Sequence, residues 1–189
     1  MAASPEHTRF LQLLHSRAAA SLDHVTGTLL EHLQGTHDLL DEWGNSPDIC
    51  LAGLAHAVYG TSGFPVAVLD VTTERGDLVD AIGPRAEALV YFYASCDRAV
   101  VYPQIGAGQA VPFRDRFTGE VFVPDDGILS RFMEVTFANE LQIALGDVSL
   151  TDQITAAYGA LFVRSRALVS PAAFACFTRI CGAGLLDPA

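Results

Sequence analysis

Residues 46–61, SPDICLAGLAHAVYGT, are apolar on every side, and this constrains the fold more than any other stretch. A helix without a polar face has to be surrounded, so the rest of the chain is expected to pack around it. Ser46 reads as its N-cap, Pro47 suits the first turn, Asp48 suits the positive end of the helix dipole, and Gly60 stops it. Gly53 has no side chain and lets a neighbouring helix approach closely. Near the end of this buried segment stands one imidazole, His56.

The flanking segments supply the neighbours. A first helix is predicted over residues 5–20, with Phe10, Leu11, Leu13 and Leu14 as its apolar side. A second is predicted over residues 22–43. Its stripe is Leu22, Val25, Leu29, Leu33, Thr36, Leu40 and Trp43, with Ser21 as N-cap and Gly44 as stop. Further helices are expected over residues 75–82, 84–98, 126–146, 149–169 (capped by Ser149) and 171–181. Between 100 and 125 the pattern changes: VPFRDRFTGEVFVPD alternates around Thr118-Gly119 and reads as a β-hairpin. The expectation is one all-α domain spanning residues 1–189, a helical bundle with a small β-hairpin insertion at 100–125.

Composition narrows the partners. The formal charge is −11 over 189 residues, which disfavours nucleic acid and anionic membranes. Every one of the 11 strong cations is arginine, so a Schiff-base or P-loop lysine is ruled out. The start has no signal-peptide pattern and no run is long enough to span a membrane. Cys50, Cys96, Cys176 and Cys181 lie in apolar contexts without a CxxC. Reduced core thiols and a cytoplasmic location are expected. The partner expected is a small molecule.

Six histidines are present, and most sit in the first third of the chain. His7 lies near the start and His37 faces solvent beside Asp38 and Asp41. On the predicted second helix His24, Thr28, His32 and Thr36 form a polar ribbon along the edge of the core face, as residues lining a cavity do. Two antiparallel helices joined by a short turn bring His32 towards His56. Asp97 and Arg98 end another apolar helix. Histidine, histidine and aspartate from three helices would form a mononuclear site for iron, manganese or zinc, with ligands His32, His56 and Asp97. Tyr59 and Thr61 follow His56, Tyr59 as a candidate proton donor and Thr61 as a pocket residue. Asn139 and Glu140 interrupt an apolar helix and could reach the same cavity, Glu140 as a replacement ligand or base. Arg98 is the candidate for holding an anionic group.

The stretch HLQGTHDLLDEWGNSPDICLAGLAHAVYG resembles the core of HD-domain proteins, helical metal-dependent enzymes that are mostly phosphohydrolases with a few oxygenases. By that resemblance His32 is similar to the first histidine, His56 to the histidine of the His-Asp pair, and Asp97 to the last aspartate. Ala57 stands where the motif aspartate would be, a departure that argues against a two-metal site. HLxGT, WG, AGLxHxxYGT and CDR together resemble an uncharacterised bacterial HD-like group. The resemblance covers roughly residues 20–100 and implies a metal-dependent hydrolase or a non-haem iron oxygenase. Two other functions fit the same residues: a metal-free ligand-binding or regulatory domain, and metal-free acid/base catalysis by His32 or His56.

Overall fold

A computed structural model describes residues 4–19, 22–24, 27–108 and 110–182. The fold is all-α with two small antiparallel strand pairs. Helix α1 spans Pro5–Ser16, α2 Leu29–Glu42, α3 Pro47–Ala55, α4 Arg75–Ile82 and α5 Pro84–Ser95. A short α6, Arg98–Val101, precedes the long α7, Asp126–Gly146, and then α8, Thr151–Arg164, and α9, Pro171–Cys181. Strands β1 (Asp23–His24) and β2 (Gly27–Thr28) pair before α2, and β3 (Phe113–Arg114) and β4 (Val121–Phe122) form the expected hairpin.

The apolar segment does sit in the middle. Helix α3 packs against α2, α5 and α7, and all six residues from Cys50 to Ala55 are buried. Gly53 permits this: a Cβ there would lie 2.2 Å from Leu40 Cδ1 on α2. Helix α3 is shorter than predicted and stops at Ala55. The His56 ring explains the stop, because its Nδ1 bonds the Gly53 carbonyl at 2.7 Å and competes for an acceptor within the helix. The chain then continues in tighter turns, Val58 N–H donating to Ala55 O and Gly60 N–H to Ala57 O. Gly60 ends them at φ +68°, in the left-handed region.

Helix α2 departs more from expectation. The predicted stretch 22–43 begins not as a helix but as the β1–β2 pair, and Ser21 and Val25 lie outside the described residues. Two signals place the start at Leu29. Gly27 sits at φ +135°, which side-chain-bearing residues rarely adopt, and Thr28 and Glu31 form a reciprocal capping box. Trp43 and Gly44 close the helix as predicted.

The other differences are local. α1 ends at Ser16 rather than 20, with Ala18 at φ +52°. α5 ends at Ser95 because Cys96 turns extended and bridges to Asp115 of the hairpin. α8 begins at Thr151, not Ser149, after a 3-10 turn capped by Asp147, and ends at Arg164. α4, α7 and α9 match the predicted bounds. Among the described residues no helix is long and apolar enough to cross a membrane, and all four cysteines are free and buried.

Substituting Gly53→Ala forces a methyl into the α2–α3 contact. Leu40 has to change rotamer, and the expected cost is about 1–3 kcal/mol of unfolding free energy, read from the urea midpoint.

Candidate functional site

Helices α2, α3 and α7 each bring one polar group to a common point in this apolar interior. His32, on the fourth residue of α2, is 1 % exposed, and His56, at the end of α3, is 3 % exposed. Their Nε2 atoms face each other at 3.3 Å, with the rings at 79°. Asn139 on α7 places its Oδ1 2.9 Å from His32 Nε2. Thr36 is fully buried one turn below, its hydroxyl donating to the His32 carbonyl.

The hydrogen bonds around these groups fix the proton on His56 and tie that on His32 to the orientation of Gln142. A carbonyl cannot donate, so His56 Nδ1 carries the hydrogen it gives to Gly53 O, and its Nε2 is a bare lone pair. His32 Nδ1 lies 2.5 Å from Gln142 Oε1, so with the amide in this orientation it too is the protonated nitrogen. Asn139 donates through Nδ2 to Glu140 Oε1 at 2.7 Å, which turns its carbonyl oxygen towards His32. With Gln142 in this orientation three acceptors converge, His32 Nε2, His56 Nε2 and Asn139 Oδ1; with its amide turned, His32 Nε2 carries the hydrogen and donates it to Asn139 Oδ1. Burial holds the His56 imidazole well below its usual pKa, with the neighbouring His32 adding to the effect. Burial also lowers His32, partly offset by Gln142 and Asn139.

A second layer lies beyond. Glu140 is 3 % exposed and burial raises its carboxyl pKa, opposed by Arg98 and by the Asn139 hydrogen bond. Arg98 reaches Glu140 Oε1 at a long 3.5 Å and donates to the Tyr93 hydroxyl at 2.9 Å. On the other side His24 stacks on His32, centroids 4.0 Å apart and rings at 14°, and its Nδ1 is buried without a partner. Burial, then His32, brings the His24 pKa down to about 4.

Of the residues singled out in the sequence, His24, His32, Thr36, His56, Arg98, Asn139 and Glu140 form one connected cluster. Four do not join it. Asp97 faces Arg114 of the hairpin, 3.5 Å away, because the chain leaves the core at Cys96. The Tyr59 hydroxyl donates to Glu87, which Arg75 clasps at 2.7 and 2.9 Å. Thr61 is a turn residue whose hydroxyl accepts from Gly63 and Phe64 N–H. Thr28 is the N-cap of α2. Among the described residues no group of three or more His, Cys, Asp or Glu stands together as a metal-ligand set. Sequence reasoning missed Gln142 and Tyr93. Gln142 was findable, since it lies three residues after Asn139 and so on the same face of α7.

Residues 13–98 match the family model described as a domain of unknown function, DUF6817. No curated protein and no solved structure matches the chain.

The depressed imidazoles fix the sign of a pH effect. The unfolded chain binds protons below about pH 6.5 that folded His24, His32 and His56 refuse, so their contribution to stability is present above that pH and is lost as pH falls. Glu140 works in the opposite sense, closer to the ordinary carboxylate range. The urea midpoint of chelator-treated protein is expected to fall from pH 7.5 to 5.5, and His24→Gln to reduce that dependence.

Proposed function

We propose that the protein is a mononuclear metal enzyme acting on a small molecule, with His32, His56 and Asn139 as the protein ligands and Glu140 as the proton-handling group. The observation behind it is the meeting of two imidazole lone pairs and an amide oxygen with no donor between them. With Gln142 turned as here, three buried acceptors facing each other repel unless a cation joins them, and burial keeps both imidazoles neutral, with one N–H each.

The spacing fits a shared ion. Two nitrogens each about 2.0–2.1 Å from one ion at a near-tetrahedral angle lie about 3.3 Å apart, as the two Nε2 atoms do. The outer hydrogen bonds fit as well, because histidines that ligate through one nitrogen commonly donate the other N–H to an oxygen. This modifies the ligand set expected from the HD resemblance: the two histidines are retained and Asn139 replaces Asp97. A nitrogen and amide-oxygen set suits zinc, manganese or iron(II).

A bound ion of this kind lowers the pKa of water and polarises substrate oxygens. The chain's own residues do the rest. Gln142 and the Gly53 carbonyl hold the two rings in one tautomer and one orientation. Glu140, buried one hydrogen bond from Asn139, accepts and returns a proton, and its raised pKa suits exchange closer to neutral pH. Arg98 holds Glu140 from the opposite side. The surrounding apolar helices exclude bulk water. Hydrolysis is the reaction class these roles support. The four unbridged thiols and the acidic charge fit a reducing cytoplasm.

One observation favours a second reading, a metal-free ligand-binding domain. Burial raises Glu140, and a protonated Glu140 could donate to Asn139 Oδ1 while the amide turned its Nδ2–H towards His32. Metal titration separates the two. After chelation and dialysis, calorimetry with Zn²⁺ or Mn²⁺ is expected to show one ion per chain. His32→Ala, His56→Ala and Asn139→Ala abolish or strongly weaken it, Gln142→Leu weakens it by about 10- to 100-fold, and Asp97→Asn leaves it unchanged. Wild-type protein that takes up no stoichiometric ion sinks the metal reading. Loss on Asp97→Asn equal to that on His32→Ala sinks the ligand set.

A further inference from the structure

Beyond Glu140 the molecule holds a charged feature that the metal reading does not use. A cleft of about 430 Å³ opens between α8 and the segment from α6 to residue 103. Arg98 and Arg164 line it, with Tyr102, Pro103, Ala157 and Leu161 among its walls.

The two arginines have little carboxylate contact. The Arg98 side chain is only 12 % exposed, and its one carboxylate contact is the 3.5 Å approach to Glu140. Its guanidinium lies over the rings of Tyr93 and Tyr102, at 5.1 and 5.6 Å. Its Nε–H and the Tyr102 hydroxyl are both buried with no hydrogen-bond partner. Arg164 spends its hydrogen bonds on two backbone carbonyls, Ile105 O at 3.2 Å and Tyr102 O at 3.3 Å, and no carboxylate among the described residues pairs with it. Arg98, largely buried, has the long Glu140 contact, while Arg164 is exposed at the mouth of the cleft and has no carboxylate partner among the described residues, so both can turn N–H groups to an incoming anion.

The cleft is also preset. Gly106, at φ +73°, brings its backbone so close to the end of α8 that a Cβ would lie 2.4 Å from the Arg164 carbonyl. The loop that carries Tyr102 is therefore seated on the helix that carries Arg164, and the two walls keep their spacing without a ligand.

We propose that this cleft binds the carboxylate of a small organic acid with an apolar body, and that this acid is the substrate of the neighbouring site. A planar carboxylate matches a guanidinium edge, and the tyrosine ring with the Ala157 and Leu161 walls receives the apolar remainder. Arg98 lines the cleft and touches Glu140, which bonds Asn139, so the bound acid lies next to the histidine cluster. That the acid is a substrate rests on the metal reading; that the cleft takes a carboxylate does not.

The test is calorimetric titration of full-length protein, both chelator-treated and Zn²⁺-loaded, with benzoate, phenylacetate and hexanoate. Benzyl alcohol and inorganic phosphate serve as comparators. At least one acid is expected to bind saturably to both forms, and more tightly than either comparator. Arg164→Gln should weaken it by roughly tenfold or more, with metal stoichiometry unchanged. Tyr102→Phe, which keeps the ring, should weaken it as well. Acid binding that persists while no metal binds supports the carboxylate site and overturns only its role as substrate pocket. The proposal is overturned if none of the three acids binds, if Arg164→Gln binds as wild type does, or if phosphate or benzyl alcohol binds as tightly.

Discussion

The hydrogen bond from His56 Nδ1 to the Gly53 carbonyl joins the fold to its chemistry. On one side it competes for an acceptor inside α3 and helps end that helix at Ala55. On the other it commits the imidazole to a single tautomer and aims Nε2 at His32. The same glycine lets α2 come close enough for Leu40 to occupy the space of a missing Cβ. Backbone packing and ring orientation are therefore set within a four-residue stretch. The rest of the cluster depends on it, since a rotated His56 would leave His32 and Asn139 as two acceptors facing an apolar wall.

Much of this was legible in the sequence, for definite reasons. The stretch around α3 has no polar face, so its burial followed from the hydrophobic effect alone. His32 and His56 lie on consecutive helices with a short connection, and the antiparallel packing that such a connection imposes brings them together. Asn139 and Glu140 were visible as polar residues in an apolar helix. The misplaced residues failed where a local backbone event overrode a periodic pattern. Asp97 was read as the end of a helix, but Cys96 turns extended and hands the carboxylate to Arg114. His24 was read as helical, but Gly27 and the Thr28–Glu31 box begin the helix later. His24 still reaches His32, by stacking from a strand rather than along a helix face. Tyr59 was read as a pocket residue because its partners Glu87 and Arg75, far along the chain, could not be seen from its neighbourhood.

The electrostatics divide the buried polar groups into two zones with different needs. On the proposed reading the groups around the histidines are acceptors awaiting a cation, and those around Arg98 and Arg164 are donors awaiting an anion. Glu140 and Asn139 sit on the border, each engaged on both sides. In the proposed enzyme that border would hold a charged substrate at one end and act on it at the other.

The position of α7 has a consequence for how such chains are compared. The matched segment ends at residue 98 and contains both histidines, whereas Asn139, Glu140 and Gln142 all lie on a helix some forty residues further on. The matched segment thus carries the imidazoles and Arg98 but none of the α7 groups. A chain that aligned over that segment but had a different helix in the place of α7 would keep the paired imidazoles and lose the groups that orient and complete them. A match over residues 13–98 alone therefore does not carry the α7 groups of the cluster with it.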